Sequence, residues 1–127
     1  MNVPAELRYS KDHEWAQLEP TGRVRVGITD YAQDALGDVV FVELPATGTV
    51  VAAGDTLGEV ESTKSVSDLY APLAGTVVEV NDMLTDAPER LNEDPYGEGW
   101  ICLIDPDDPA QFELLLDASA YSSLIES

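Results

Sequence analysis

The chain is poor in the residues that build cross-links and metal centres. Its 127 residues include one cysteine, Cys102, and one histidine, His13. Neither a disulfide framework nor a Cys/His metal site can be made from one of each. Cys102 lies within Trp100-Ile-Cys-Leu-Ile104 and reads as an apolar strand residue, which suits a reducing cytoplasm. Positive charge is equally scarce. Six Lys and Arg stand against 25 Asp and Glu, a formal charge of −19. Such a field opposes binding to nucleic acid and to anionic membranes and attracts basic protein surfaces, while also keeping the chain in solution. Long apolar runs are absent, so no membrane span is expected. The start, Met1-Asn-Val-Pro-Ala-Glu6, has neither the basic nor the apolar region of a secretory signal. Hydrophobic content of 44% is ordinary for a folded chain, and the length suits a single domain over 1–127.

Alternation and breakers suggest the local structure. Glu14–Leu18 and Arg23–Ile28 read as a hairpin turning at Pro20-Thr21-Gly22, with Arg23 and Arg25 outward and Val24, Val26 and Ile28 inward. Thr29 or Asp30 can cap a short helix, Tyr31–Leu36, which Gly37 ends by taking the left-handed conformation. A strand over Val39–Leu44 follows. Ala87–Gly99 reads as a Pro-, Gly- and Asn-rich loop before a strand over Trp100–Ile104. In the tail, 108–126, Asp108 caps a helix that starts at Pro109 and runs through Leu116, and Ala118–Ile125 forms a second helical stretch.

The middle of the chain repeats itself. Pro45–Leu57 aligns without gaps to Pro72–Leu84, with seven of thirteen positions identical, including both Gly-Thr-Val-Val runs. Gly54 falls opposite Asn81, two residue types that tolerate positive φ in a tight turn. A strand-turn-strand unit used twice implies two half-domains burying their apolar faces together. The residues alone therefore describe a mainly β protein, a β-sandwich with a few peripheral helices.

Lys64 falls between the two copies, and Lys11 is the only other lysine. Strand-like segments flank it, and Glu59, Glu61 and Asp68 surround it. Negative neighbours favour the ammonium form, which opposes a Schiff-base or general-base lysine. A lone amine on an exposed turn suits an anchor for a covalently carried group. An unmodified acidic adaptor with a solvated turn lysine is the competing reading. His13 has no partner constellation for acid–base work, so packing is its expected role. Trp15, Tyr96 and Trp100 read as core and loop-anchoring aromatics.

The segment Gly58-Glu-Val-Glu-Ser-Thr-Lys64, with Ser67-Asp68 and Ala71-Pro72, resembles the lipoylation site of the glycine cleavage system H proteins. The resemblance extends through His13-Glu-Trp15, Val26–Gln33, Leu36–Val40, Val42–Pro45, Glu79-Val-Asn81, Pro95-Tyr-Gly97 and Gly99-Trp100. Thr63 departs from it, since many relatives carry a small apolar residue before the lysine. Thr63 and Ser65 also set the chain apart from biotin carriers, which place Met on both sides. Lipoyl domains of 2-oxo acid dehydrogenases usually carry Asp before the lysine.

The resemblance implies a barrel-sandwich hybrid, a hammerhead-like β-sandwich with a pseudo-two-fold repeat. It implies a non-catalytic, cytoplasmic, monomeric carrier with lipoate joined to Lys64 by an amide. The expected partners are a glycine decarboxylase, an aminomethyltransferase and a dihydrolipoyl dehydrogenase, between which the arm shuttles the aminomethyl group of glycine, and a lipoate-loading enzyme. Glu14, Ser67 and Asp68 are the residues it suggests for a groove holding the arm. A further role in lipoate distribution stays open.

Overall fold

The computed structural model describes residues 1–126, and its architecture follows from short alternating strands that each bury one face. Six strands form one antiparallel sheet in the order β1 (Arg8–Tyr9), β2 (Glu14–Leu18), β3 (Val24–Ile28), β9 (Cys102–Pro106), β8 (Gly75–Val80) and β5 (Val50–Val51). The second sheet is antiparallel with the order β4 (Val39–Glu43), β6 (Thr56–Ser62) and β7 (Val66–Tyr70). The arrangement is sandwich-like and not closed. The main core runs through both sheets: Val24, Val26, Val77 and Ile104 from the first meet Val42, Val60 and Leu69 from the second.

Inward valines of β3 are fully or almost fully buried, and Arg25 projects over the Trp100 ring at 4.5 Å, as the alternation requires. A smaller cluster joins Leu7, Tyr9, Trp15 and Tyr121. Trp15 is wholly buried and donates from Nε1 to the Pro95 carbonyl at 2.9 Å. It fits because its cross-strand neighbour is Gly27, where a Cβ would stand 2.6 Å from the indole. Cys102 is wholly buried in β9, and burial pushes its thiol up to about 12, so it is not a poised nucleophile.

The helix α1 (Asp30–Leu36) begins as its sequence demands, with Thr29 Oγ1 accepting from Ala32 N at 3.1 Å. Gly37 ends it with φ 82° and ψ −160°, a positive φ but not the left-handed helical region expected. The repeat is visible in the pairing: Val50 faces Thr76 in the β5–β8 ladder, and Val77 N donates to Thr49 O at 2.9 Å, the symmetric counterpart. The two copies then diverge. Gly54 takes φ 88°, but Asn81 has no positive φ; its amide is buried and donates to the carbonyls of Glu98 and Trp100, both at 2.8 Å. The second copy runs from β8 into the helix α2 (Met83–Asp86), not into a second strand.

Three boundaries also differ from expectation. The presumed loop 87–99 contains the helix α3 (Arg90–Glu93), folded there because Leu91 is fully buried. The strand expected from Trp100 starts at Cys102, since Ile101 N is taken by Val26 O outside the regular ladder. Asp108 does cap the following segment, accepting from Ala110 N at 3.0 Å, but Pro109–Leu114 is a 3-10 helix and Leu116 pairs with Tyr9. The last helix, α4 (Ala118–Glu126), packs Tyr121 against Tyr9 with rings 4.7 Å apart.

Candidate functional site

Lys64 sits at the tip of the β6–β7 hairpin, in the turn Ser62-Thr63-Lys64-Ser65. Two-residue hairpin turns usually rely on positive φ. Neither Thr63 nor Lys64 adopts it; among the described non-glycine residues only His13 does, at 71°. The buried Ser62 hydroxyl holds the turn instead. It accepts from Lys64 N and Ser65 N, both at 3.1 Å, while Ser62 N donates to Ser65 O at 2.8 Å. Thr63 N donates across to Asp38 O at 3.0 Å, so the turn is fixed to the neighbouring strand's entry.

The Lys64 side chain is exposed. Its stem passes over Gly37, with Cε 3.0 Å from where a Cβ would be. Ion pairs among the described residues are carried by Arg8, Arg25 and Arg90, and Lys64 joins none of them. The amine is therefore presented on a rigid base and is not sequestered by a carboxylate. Ser62, whose hydroxyl holds the turn, does not stand out in the sequence; a serine opening a two-residue turn was its available signal. Ser62→Ala removes the acceptor for two amides near the surface, and it is expected to cost about 1 kcal/mol of stability. Urea unfolding of the variant beside the wild type reads that difference.

A groove of about 320 Å³ opens beside the turn. One wall is the face of α1 that presents Tyr31, Ala32, Ala35 and Leu36; the other is Ser65–Leu69 of the hairpin; Glu14, His13 and Ile28 lie along it. The structure thus brings Glu14, Ser67 and Asp68 to one cavity, and the residue following Lys64 lines it as well. Ser67 and Asp68 are exposed. Glu14 is not: it opens β2 with 3% exposure. Its carboxylate accepts from Ser10 Oγ at 2.6 Å and from Tyr70 N at 3.4 Å. Burial pushes its pKa from 4.5 up to about 7; the two hydrogen bonds pull it down, and the Asp12 charge adds to the rise.

His13 flanks Glu14 with its ring 4.7 Å from that of Tyr31. Its Nδ1 lies 2.8 Å from Tyr121 Oη, which lies 2.8 Å from Thr29 Oγ1. Burial lowers the histidine's pKa, with Asp12 opposing. These contacts tie α4 to the groove's rim and give His13 the packing role expected of it. The α1 wall of the groove is apolar while the hairpin wall carries Ser65, Ser67 and Asp68, and a cation held beside Glu14 would draw that carboxyl into its ionised form. Among the described residues, no group of three or more His, Cys, Asp or Glu is placed to hold a metal ion.

Residues 7–127 match the family described as glycine cleavage H-protein. A glycine cleavage system H protein of Anaeromyxobacter sp. (strain K) is 56% identical over 126 residues, covering 99% of this chain and 98% of that one. The protein of the same name from Escherichia coli O7:K1 is 54% identical over 125 residues, covering 98% and 97%. A crystal structure of a glycine cleavage system H protein from Mycobacterium marinum is similar with a TM-score of 0.89 and 46% identity, covering 98% of this chain and all of that one.

Proposed function

The chain belongs to the glycine cleavage H-protein family, and from that premise we propose that Lys64 is the residue to which its lipoyl group is joined. H proteins are the lipoyl carriers of the glycine cleavage system; they pass intermediates between its other components and catalyse no step themselves. The residues around Lys64 fit that cofactor: an exposed, unpaired amine at a hairpin tip, beside a groove whose α1 wall is apolar. When bound, lipoate supplies a disulfide that takes up the one-carbon unit of glycine and is reoxidised afterwards. The protein supplies the anchor and the shelter. Glu14, Ser67 and Asp68 would line the arm's resting place, with Glu14 as the counter-charge for a protonated amine. The observation that carries the reading is the free amine of Lys64 on a turn that Ser62 and Asp38 hold rigid.

The partner set we infer is the glycine decarboxylase, the aminomethyltransferase, the dihydrolipoyl dehydrogenase and the lipoate-loading enzyme, each meeting a monomeric, single-domain, cytoplasmic carrier. The outward face of the smaller sheet supports this. Its register aligns Phe41, Glu61 and Val66 in one row and Glu43, Glu59 and Asp68 in the next. Phe41 and Val66 are about half exposed, so apolar and acidic groups flank the lysine together. Basic partner surfaces with an apolar centre would match it, and their binding should weaken as salt rises. No helix among the described residues is long and apolar enough to cross a membrane.

Intact-mass measurement and peptide mapping of protein from its native host test the assignment. The expected result is one lipoyl adduct on Lys64 with Lys11 unmodified. An unmodified pool would favour the adaptor reading, and a biotin-sized adduct would overturn the cofactor.

A further inference from the structure

Behind the Lys64 turn lie the two-residue junction between α1 and β4, Gly37-Asp38, and the first residue of β4, Val39, and all three are tied. Asp38 O accepts from Thr63 N at 3.0 Å, and the open face of Gly37 underlies the Lys64 stem. The groups on either side of Asp38 both converge on one side chain, Asn92 of α3. Asn92 Nδ2 donates to Gly37 O at 2.9 Å and to Gln33 Oε1 at 3.0 Å, while its Oδ1 accepts from Val39 N at 2.9 Å. The two backbone partners fix the amide's orientation, because Gly37 O can only accept and Val39 N can only donate. Asn92 is thus fully used, with both N–H donors and its carbonyl engaged.

Asn92 is itself held in place. Its neighbour Leu91 is wholly buried in the main core, and Arg90 at the start of α3 pairs with Glu93 at 2.9 Å and reaches Glu98 at 3.5 Å. The same amide extends back along α1, since Gln33 Nε2 donates to Asp30 Oδ1 at 2.8 Å. A rigid path therefore runs from the core through α3 and Asn92 to the Gly37–Val39 segment, and from Asp38 to the lysine turn. Among the described residues no comparable path holds the turn from its outer side, where Val66 is 57% exposed.

We propose that Asn92 is a positioning residue for the loading of Lys64: it fixes the platform on which the lysine turn rests. The inference depends on Lys64 being the attachment point. In loading, Nζ attacks the carboxyl carbon of an activated lipoyl donor such as an acyl adenylate; the C–N bond forms, the activating group leaves with the C–O electron pair, and the amine gives up its proton. Such an attack needs the nucleophile held close to its productive position. A platform fixed before the encounter spares the loading enzyme the cost of ordering the turn. Without it, that cost comes out of binding, so KM rises while the bound turn still reacts at its usual rate.

The test uses the full apo chain with Asn92→Ala, and Asn92→Asp as a second variant that keeps the acceptor for Val39 N but sets a carboxylate oxygen against Gly37 O. Amide hydrogen exchange is followed residue by residue, and acylation is run with a lipoate ligase, lipoate and ATP well below the melting temperature. Losing the hydrogen bonds that hold the junction should speed exchange at the Thr63 amide about tenfold beyond any change at the core amide of Val60. KM for the apo-protein should rise by a similar factor, with kcat within about twofold. Equal acceleration at Thr63 and Val60, or an unchanged KM, overturns the proposal, since a purely structural role changes all amides together. Should Asn92→Ala not fold, the same criteria apply to Asn92→Asp. If the wild type is acylated elsewhere than Lys64, the attachment reading fails instead, and the Thr63 exchange still reports whether Asn92 holds the turn.

Discussion

Protein with Lys64 replaced by alanine is expected to carry no lipoyl adduct and to support no glycine cleavage. Intact mass reads the first and glycine-dependent bicarbonate exchange with the decarboxylase reads the second. The loss should be complete, because the only other lysine, Lys11, stands on the loop before β2 and not on the hairpin tip. The fold should not notice. Lys64 is exposed and joins no ion pair among the described residues, so its truncation should change stability by no more than about 0.5 kcal/mol. Lys64→Arg is the sharper control. It keeps the charge and most of the stem over Gly37 but offers a guanidinium that no ligase acylates. Loss of adduct in both variants, with unchanged melting, ties the defect to the amine. Wild-type adduct and activity in Lys64→Arg would place the attachment elsewhere.

The features legible in the sequence were those that local chemistry determines. Alternation in Arg23–Ile28 and the threonine before α1 each act through their own backbone, and the hairpin and cap follow. The repeat was legible as far as pairing goes, since Thr49, Val50, Thr76 and Val77 meet symmetrically. Its far end was not. Asn81 is recruited by the carbonyls of Glu98 and Trp100, a contact between segments that no local pattern reports. The same holds for α3, four residues long and carrying one apolar anchor, Leu91, too little for a helical period to show. At the site, the scarcity of lysine marks Lys64, but the devices behind it come from distant chain. Asp38 reaches Thr63, Asn92 reaches Gly37, and Tyr70 reaches Glu14. Glu14 looks like any strand carboxylate in the sequence; its burial, and its contact with Tyr70 N of β7, appear only in the fold.

That burial leads to the second large effect. Glu14→Gln should remove a pH dependence of folding stability and impair the carrier together. The carboxyl's pKa is raised from 4.5 to about 7 in the folded state, so between those values the native protein holds this proton more tightly than the unfolded chain. The stability contributed by protonated Glu14 is therefore fully present below pH 4.5 and is lost as pH rises through about 7. Integrated over that window it amounts to roughly 3 kcal/mol. Urea unfolding at pH 5, 6, 7 and 8 should show the wild type losing about this much relative to Glu14→Gln. Taking the difference isolates Glu14 from Asp12, Asp68 and His13, which flank the same groove. A neutral glutamine can keep hydrogen bonds to Ser10 and to Tyr70 N, so the variant should fold. It cannot supply a counter-charge. If the groove shelters a cationic cargo, lipoylated Glu14→Gln loaded by the decarboxylase should release ammonia to water faster than wild type, by about tenfold for the loss of one charge-assisted contact. An identical pH slope in the two proteins would assign the raised pKa to another group. An unchanged release rate, with the slope removed as expected, would leave Glu14 a buried structural acid and not the cargo's counter-charge.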